Sequence, residues 1–373
     1  MDVERRPPEH RPLEHRPPAC QRRALAALSL ILLVLVSAGA FDAAAKKGKK
    51  SKAAQEDLYA AYVWPAPPDP PRIRLQAVLH GRRDVEADSK LKRVLIGASP
   101  QSPFDSLVKP FAVVFDPTGR ILVSDPGLAA VLRFDREGSR LDVLGVRGTV
   151  RLKTPLGMGM GPSGTVYVAD AGIQRVVAYD PKGGLVAAYG ASGELSNPTD
   201  AALSSDGSKL FVADSKAHKI KVFDTEHASL LTSFGRRGEG EGELNFPTSL
   251  VFGPDGNLFV VDQLNARVQI FTPDGGYVDQ LGALGVAFGN FVRPKDLAVD
   301  EMGLLYVTDN AFNNLQIFGP DLRLLTFVGE GGRGPGQFHG ASGVAVRGDL
   351  FAVVDQLGRR LQLFRFLVPK DAP

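Results

Sequence analysis

Six aspartates recur at nearly constant spacing: Asp125, Asp170, Asp214, Asp262, Asp309 and Asp355, at intervals of 45, 44, 48, 47 and 46 residues. Each ends a short apolar run. Six residues further on stands an aliphatic residue (Val131, Val176, Ile220, Val268, Leu315, Leu361), and nine residues on an aromatic one (Phe134, Tyr179, Phe223, Phe271, Phe318, Phe364). Upstream, Pro110, Pro155, Pro198, Pro247 and Pro294 open the first five copies, and Ala341 takes that place in the sixth. Six copies in register make the chain an array of one supersecondary unit, which buries its apolar faces only by stacking on its neighbours.

Within a copy the pattern is β. The fourth has apolar, β-branched runs at 249–252, 257–261, 267–271 and 277–281, with Pro254-Asp255-Gly256 and Pro273-Asp274-Gly275 as turns. Four short strands in about 45 residues are one blade of a β-propeller. The expected fold is therefore all-β, a six-bladed propeller of four-stranded antiparallel blades over residues 73–373. The sixth copy supplies only three strands, whereas Arg74-Leu75-Gln76-Ala77-Val78-Leu79-His80-Gly81 matches the fourth strands of other copies. A strand at 73–81 is thus predicted to complete the last blade, removing the open edge that invites aggregation.

The repeat resembles the Asn-His-Leu (NHL) family of six-bladed propellers, exported bacterial type. The residues that carry the likeness are Pro198, Val212-Ala213-Asp214, His218-Lys219-Ile220 and Val222-Phe223, and again Pro247, Val261-Asp262, Asn265-Ala266-Arg267-Val268 and Ile270-Phe271. The likeness implies a binding platform, with some enzymatic relatives. Amidating lyases among them use three zinc-binding histidines, and calcium lactonases an axial Glu/Asp/Asn cluster. Beyond the leader only His80, His218, His227 and His339 remain, too scattered for three zinc ligands.

Composition then locates what lies outside the repeats. Residues 24–40 form a 17-residue uncharged apolar run behind Arg22 and Arg23, ending in Ala38-Gly39-Ala40. This is the pattern of a signal peptide, or of a signal anchor if uncleaved. Residues 41–72 read as a basic and Pro-rich linker. An extracytoplasmic location follows, periplasmic or secreted, with membrane contact only through residues 24–40 if they stay attached. The one cysteine, Cys20, excludes an internal disulfide and Cys-ligated metal. Residues 1–52 hold 11 Lys/Arg and 5 Asp/Glu, so the remaining 33 bases and 36 acids leave residues 53–373 at −3. That balance argues against nucleic acid as a partner.

Strand ends alternate between two faces. The turns after the six aspartates share a face with the long blade connectors, and this loop face is the expected binding side. A structural role is expected for the repeated aspartates: each accepts turn amides and pairs with the cation five residues on, Arg175, Lys219, Arg267 or Arg360. Asymmetric polar residues are better site candidates. Asp200 and Asp296 lie two residues after an opening proline, with Lys295 beside one of them. Two such carboxylates can in principle hold Ca²⁺ at the axis, although Ca²⁺ requires six to eight oxygens. Phe312, Asn313, His339 and Arg359 are expected on the same face. A lid or rim helix is predicted over 89–96, with Leu91, Val94 and Leu95 on one side. The sequence thus favours a monomeric propeller without a cofactor, binding a protein or another surface ligand. A calcium-dependent hydrolase at the axis and a subunit of an envelope complex are the alternatives.

Overall fold

The computed structural model describes residues 58–86, 102–191 and 193–367. The leader, most of the basic linker and the segment 89–96 lie outside them. Residues from Tyr59 onward make one compact unit. Five blades are four-stranded meanders, and the sixth contains the strands Ala341–Arg347, Leu350–Asp355, Arg360–Phe366, Ile73–Leu79 and Val63–Trp64, in that order from the axis outward. The predicted closure is present: Ile73 pairs with Phe366 and Leu79 with Leu361, antiparallel. Val63–Trp64 adds a short fifth strand, and the Trp64 ring meets Phe364 edge-on at 5.6 Å. This outermost strand was not anticipated, because a Pro-rich stretch reads as an extended spacer.

The repeat pattern explains the packing. In the strand Arg267–Phe271 every residue is buried, as in Asn314–Phe318, because neighbouring blades cover both faces. The aromatic positions Phe134, Tyr179, Phe223, Phe271, Phe318 and Phe364 are all at most 2% exposed. Each buried ring contributes roughly 2–3 kcal/mol by removal from water. Outer strands face solvent and are more polar, as in Leu230–Phe234, four of whose five residues are exposed. The helices lying wholly within the described residues are four 3-10 turns of three residues each. No described helix is long and apolar enough to cross a membrane.

Candidate functional site

Two sets of polar groups are built by the repeat, and they differ in what they leave free. The first is the repeated aspartate. Asp170 accepts the backbone N–H groups of Lys153 (2.7 Å), Thr154 (2.9 Å), Gly172 (2.8 Å) and Ile173 (3.1 Å). Asp309 does the same with Val292, Arg293, Ala311 and Phe312. Each carboxylate therefore closes the turn that follows it and pins that turn to the start of its blade's inner strand. Asp262 and Asp355 add the expected cation, with Arg267 Nε at 2.9 Å and Arg360 Nε at 2.8 Å. Asp214 takes Lys221 at 2.9 Å rather than Lys219, and no ion pair joins Asp170 to Arg175. Register does not separate these cases, since Lys219, Arg175, Arg267 and Arg360 are all direct cross-strand partners of their aspartates; Lys221, two residues on from Lys219, lies on the same face of its strand and so can reach Asp214. Lys221 also donates to the carbonyl of Glu194.

The second set lies at the axis. Two residues after each opening position stand Ala112, Gly157, Asp200, Ser249, Asp296 and Gly343. Asp200 is buried, and its Oδ2 accepts Ser249 Oγ at 2.9 Å and the N–H of Leu250 at 3.0 Å. Asp296 accepts the same hydroxyl at 2.5 Å through Oδ1, and the N–H groups of Leu297 (2.9 Å) and Val344 (2.8 Å). The carboxylates of blades three and five are thus bridged by the serine of blade four. A hydroxyl carries one hydrogen and serves one acceptor, so both contacts are hydrogen bonds only when one carboxyl keeps its proton. Burial pushes Asp296 up to about 6, and burial together with the charge of Asp296 pushes Asp200 well above the ordinary carboxylate range. Gly157 makes room for this set, since a Cβ there would lie 2.1 Å from Asp200 Oδ1.

Below the two aspartates the inner strands line an axial cavity of about 320 Å³, apolar at its far end with Phe115, Met160, Leu203, Phe252, Val299 and Val346. Lys295 is half-buried, with Nζ 4.7 Å above the ring of Phe111. Burial lowers its ammonium pKa, as do Arg293 and Lys109 nearby, while Asp296 opposes them.

The other candidates stand further out. Asn313 accepts the N–H of Gly340 at 2.6 Å and joins blades five and six. Phe312 is half-buried in the turn closed by Asp309, and His339 and Arg359 are exposed. The structure therefore gathers Asp200, Lys295 and Asp296 at the axis and leaves Phe312, Asn313, His339 and Arg359 around it on the loop face. Sequence reasoning missed Ser249 as the bridge. Its signal was a hydroxyl lying between two acids at equivalent positions of consecutive blades. Also missed were Gln269, Gln316 and Gln362, seven residues after their aspartates. Their amides donate to the carbonyls of Glu243, Asn290 and Gln337 and accept from Gly242, Gly289 and Gly336, clasping the connectors of the last three blades.

The loop face also differs from its opposite in charge. Consider the strand starts 108–111, 153–156, 196–199, 245–248, 292–295 and 339–342, with the turns 126–129, 171–174, 215–218, 263–266, 310–313 and 356–359. They contain Lys109, Lys153, Lys216, Arg293, Lys295 and Arg359, and no Asp or Glu. The eleven turns of the opposite face hold 11 acidic and 4 basic residues.

Six blades closed around an axial cavity define a six-bladed β-propeller. No protein-family model matches the sequence, and neither does any curated protein. Solved structures share the fold. Virginiamycin B lyase from Staphylococcus aureus matches at 13% identity and TM-score 0.53, over 72% of this chain and 83% of that one. A gluconolactonase from Xanthomonas campestris matches at 16% and 0.54, over 70% and 87%. Kuenenia stuttgartiensis hydrazine synthase matches at 16% and 0.51, over 73% and 99%. At such identities the likeness concerns the fold alone.

Proposed function

We propose that this protein is an exported, NHL-like binding propeller that engages its partner through the loop face. One observation carries this: the strand starts and turns of that face present six cations and no acid, with Leu264 and Leu357 each 60% exposed among them. Rigid turns that display cations and uncovered apolar side chains suit a contact surface. The axial acids are less suited to a calcium enzyme. Their oxygens are engaged by Ser249, Leu250, Leu297 and Val344, and two carboxylates with one hydroxyl fall short of the oxygens Ca²⁺ requires. Among the described residues no group of three or more His, Cys, Asp or Glu gathers into a metal site. The apolar run at 24–40 supports export.

Two measurements test the proposal together. Photo-crosslinkers at Leu264 and Leu357 should give adducts in cell-envelope preparations, while one at Asp274 on the opposite face should not. Millimolar Ca²⁺ should leave the Tm unchanged, since a ligand that binds only the folded state raises it. Ca²⁺-dependent turnover of a lactone or ester, abolished by Asp296→Asn, would overturn the binding role in favour of an axial enzyme.

A further inference from the structure

The connectors into blades four, five and six are three copies of one loop. Each carries an isolated parallel bridge at the same place: Arg237 with Leu244, Leu284 with Phe291, Gly331 with Phe338. Each is held by the equivalent glutamine clasp. This alignment compares outward positions directly. Where the connector into blade four has Arg237, Glu239 and Glu241, and that into blade six has Gly331, Arg333 and Pro335, the connector into blade five has Leu284, Val286 and Phe288. These three are 75%, 85% and 69% exposed. The loop architecture therefore does not demand apolar residues there, since the blade-four copy places charges at all three points and the blade-six copy places one at the middle point. No charge occurs from Ala283 to Val292. Phe288 stacks on Phe327 of the outer strand Leu324–Val328 at 4.8 Å, which extends the apolar surface onto blade five.

This loop runs straight into the cationic crown at Arg293 and Lys295. Four of the six crown cations are lysines, a residue depleted from protein–protein contacts but effective against anionic headgroups, where charge alone counts. Arg147 and Arg151 add exposed cations on the connector into blade two. Of the acids on neighbouring connectors, Glu243 is paired with Arg236 at 2.9 Å, and Glu239, Glu241 and Glu330 have Arg237 and Arg333 close in sequence. The chain enters the propeller on this same side, because the charged groups acting on Tyr59 are Arg360, at the loop-face start of its strand, and Asp84, in the 3-10 turn that follows the closing strand. The apolar run 24–40 and the lysines at 46–52 precede that point in sequence.

Resting on the loop face as the binding side, we infer that the partner is an anionic lipid surface. The exposed cations of the crown, Lys109, Lys153, Lys216, Arg293 and Arg359, face its headgroups, and Leu284, Val286 and Phe288 enter the interface as an apolar tip. Shallow insertion of apolar side chains combined with cationic attraction is the usual physical basis of peripheral membrane binding.

The test uses the full chain with Cys20→Ser and Val286→Cys carrying an environment-sensitive dye, so that the signal reports the tip whatever residues 24–40 do. Vesicles of phosphatidylcholine with phosphatidylglycerol should shift the dye emission to the blue, and phosphatidylcholine alone should not. High salt should reverse the shift. Lys109→Glu with Arg293→Glu should raise the lipid concentration needed by about ten-fold or more. With the dye moved to Leu264→Cys, Val286→Glu with Phe288→Glu should lower the response. The preceding connector carries glutamates at both positions, so this variant keeps the fold. No tip shift on anionic vesicles overturns the lipid assignment, as does an equal shift with soluble heparin or nucleic acid. If the tip is silent while Leu264 crosslinks to a protein, the loop face stands as the binding side and only the lipid is lost. If neither responds, both proposals fall.

Discussion

At Asp296 the bridging geometry becomes a statement about pH. An unfolded aspartate titrates near 3.9, whereas the folded one is held at about 6 by burial. Between those values the folded state binds more protons, so this group's contribution to stability falls as pH rises. The effect is roughly 2–3 kcal/mol, absent below about pH 4 and complete above about pH 6. Asp296→Asn mimics the protonated acid in its charge: its amide can donate to Ser249 while its oxygen still accepts from Val344, and the Leu297 N–H loses its acceptor, a cost that does not vary with pH. Urea unfolding from pH 4 to 7 should therefore show the variant gaining on the parent by about that amount as pH rises. A constant difference across the range would remove the shared-proton description. The lone Asp residues were visible in sequence as departures from the repeat, but the serine between them was not. Adjacency at the axis depends on blade order around a ring, and in sequence Asp200, Ser249 and Asp296 lie 47 to 49 residues apart.

At the scale of elements, the connectors are fixed by contacts that no local signal announces. Gln316 is 1% exposed and holds Asn290 and Gly289 of its own connector, 26 and 27 residues away. Gln316→Leu should leave that carbonyl and N–H without partners and cost about 1–3 kcal/mol. Amide exchange across 283–292 should accelerate, whereas the clasped connectors at Gln269 and Gln362 should exchange as before. Unchanged exchange in 283–292 would show that the parallel bridge suffices to hold the loop. The aspartate turns behave differently. Their partners lie two, three, sixteen and seventeen residues away, within one blade. A repeat comparison could therefore assign their role, though not the substitution of Lys221 for Lys219.

For the whole molecule, closure decides whether six blades make a ring. Leu75 is fully buried in the closing strand and faces Phe364. Leu75→Asp should place an unpaired carboxylate there, destabilise the fold by several kcal/mol and free the edge of Arg360–Phe366. Light scattering should then detect oligomers and the melting temperature should drop. A monomer with the parental Tm would mean the ring holds without its closing strand. Closure also gives the molecule two unlike faces. The net charge of −3 after residue 52 averages an acidic face against a basic one. The sum was correct, but it could not locate the cations, which come from five of the six blades and converge only in the ring.

Sequence by itself determined the blade, the number of blades and the strand that closes them, because repetition samples one local pattern six times and the fourth-strand motif is missing only at the end. It also separated the repeated aspartates from the asymmetric ones. Tertiary structure alone decided which side chains meet: the hydroxyl shared by Asp200 and Asp296, the glutamine clasps, the gathered cations, and the exposure of Leu284, Val286 and Phe288. These are contacts or exposures set by residues far apart in the chain, and a one-dimensional pattern holds no record of the angle at which each blade is placed around the axis.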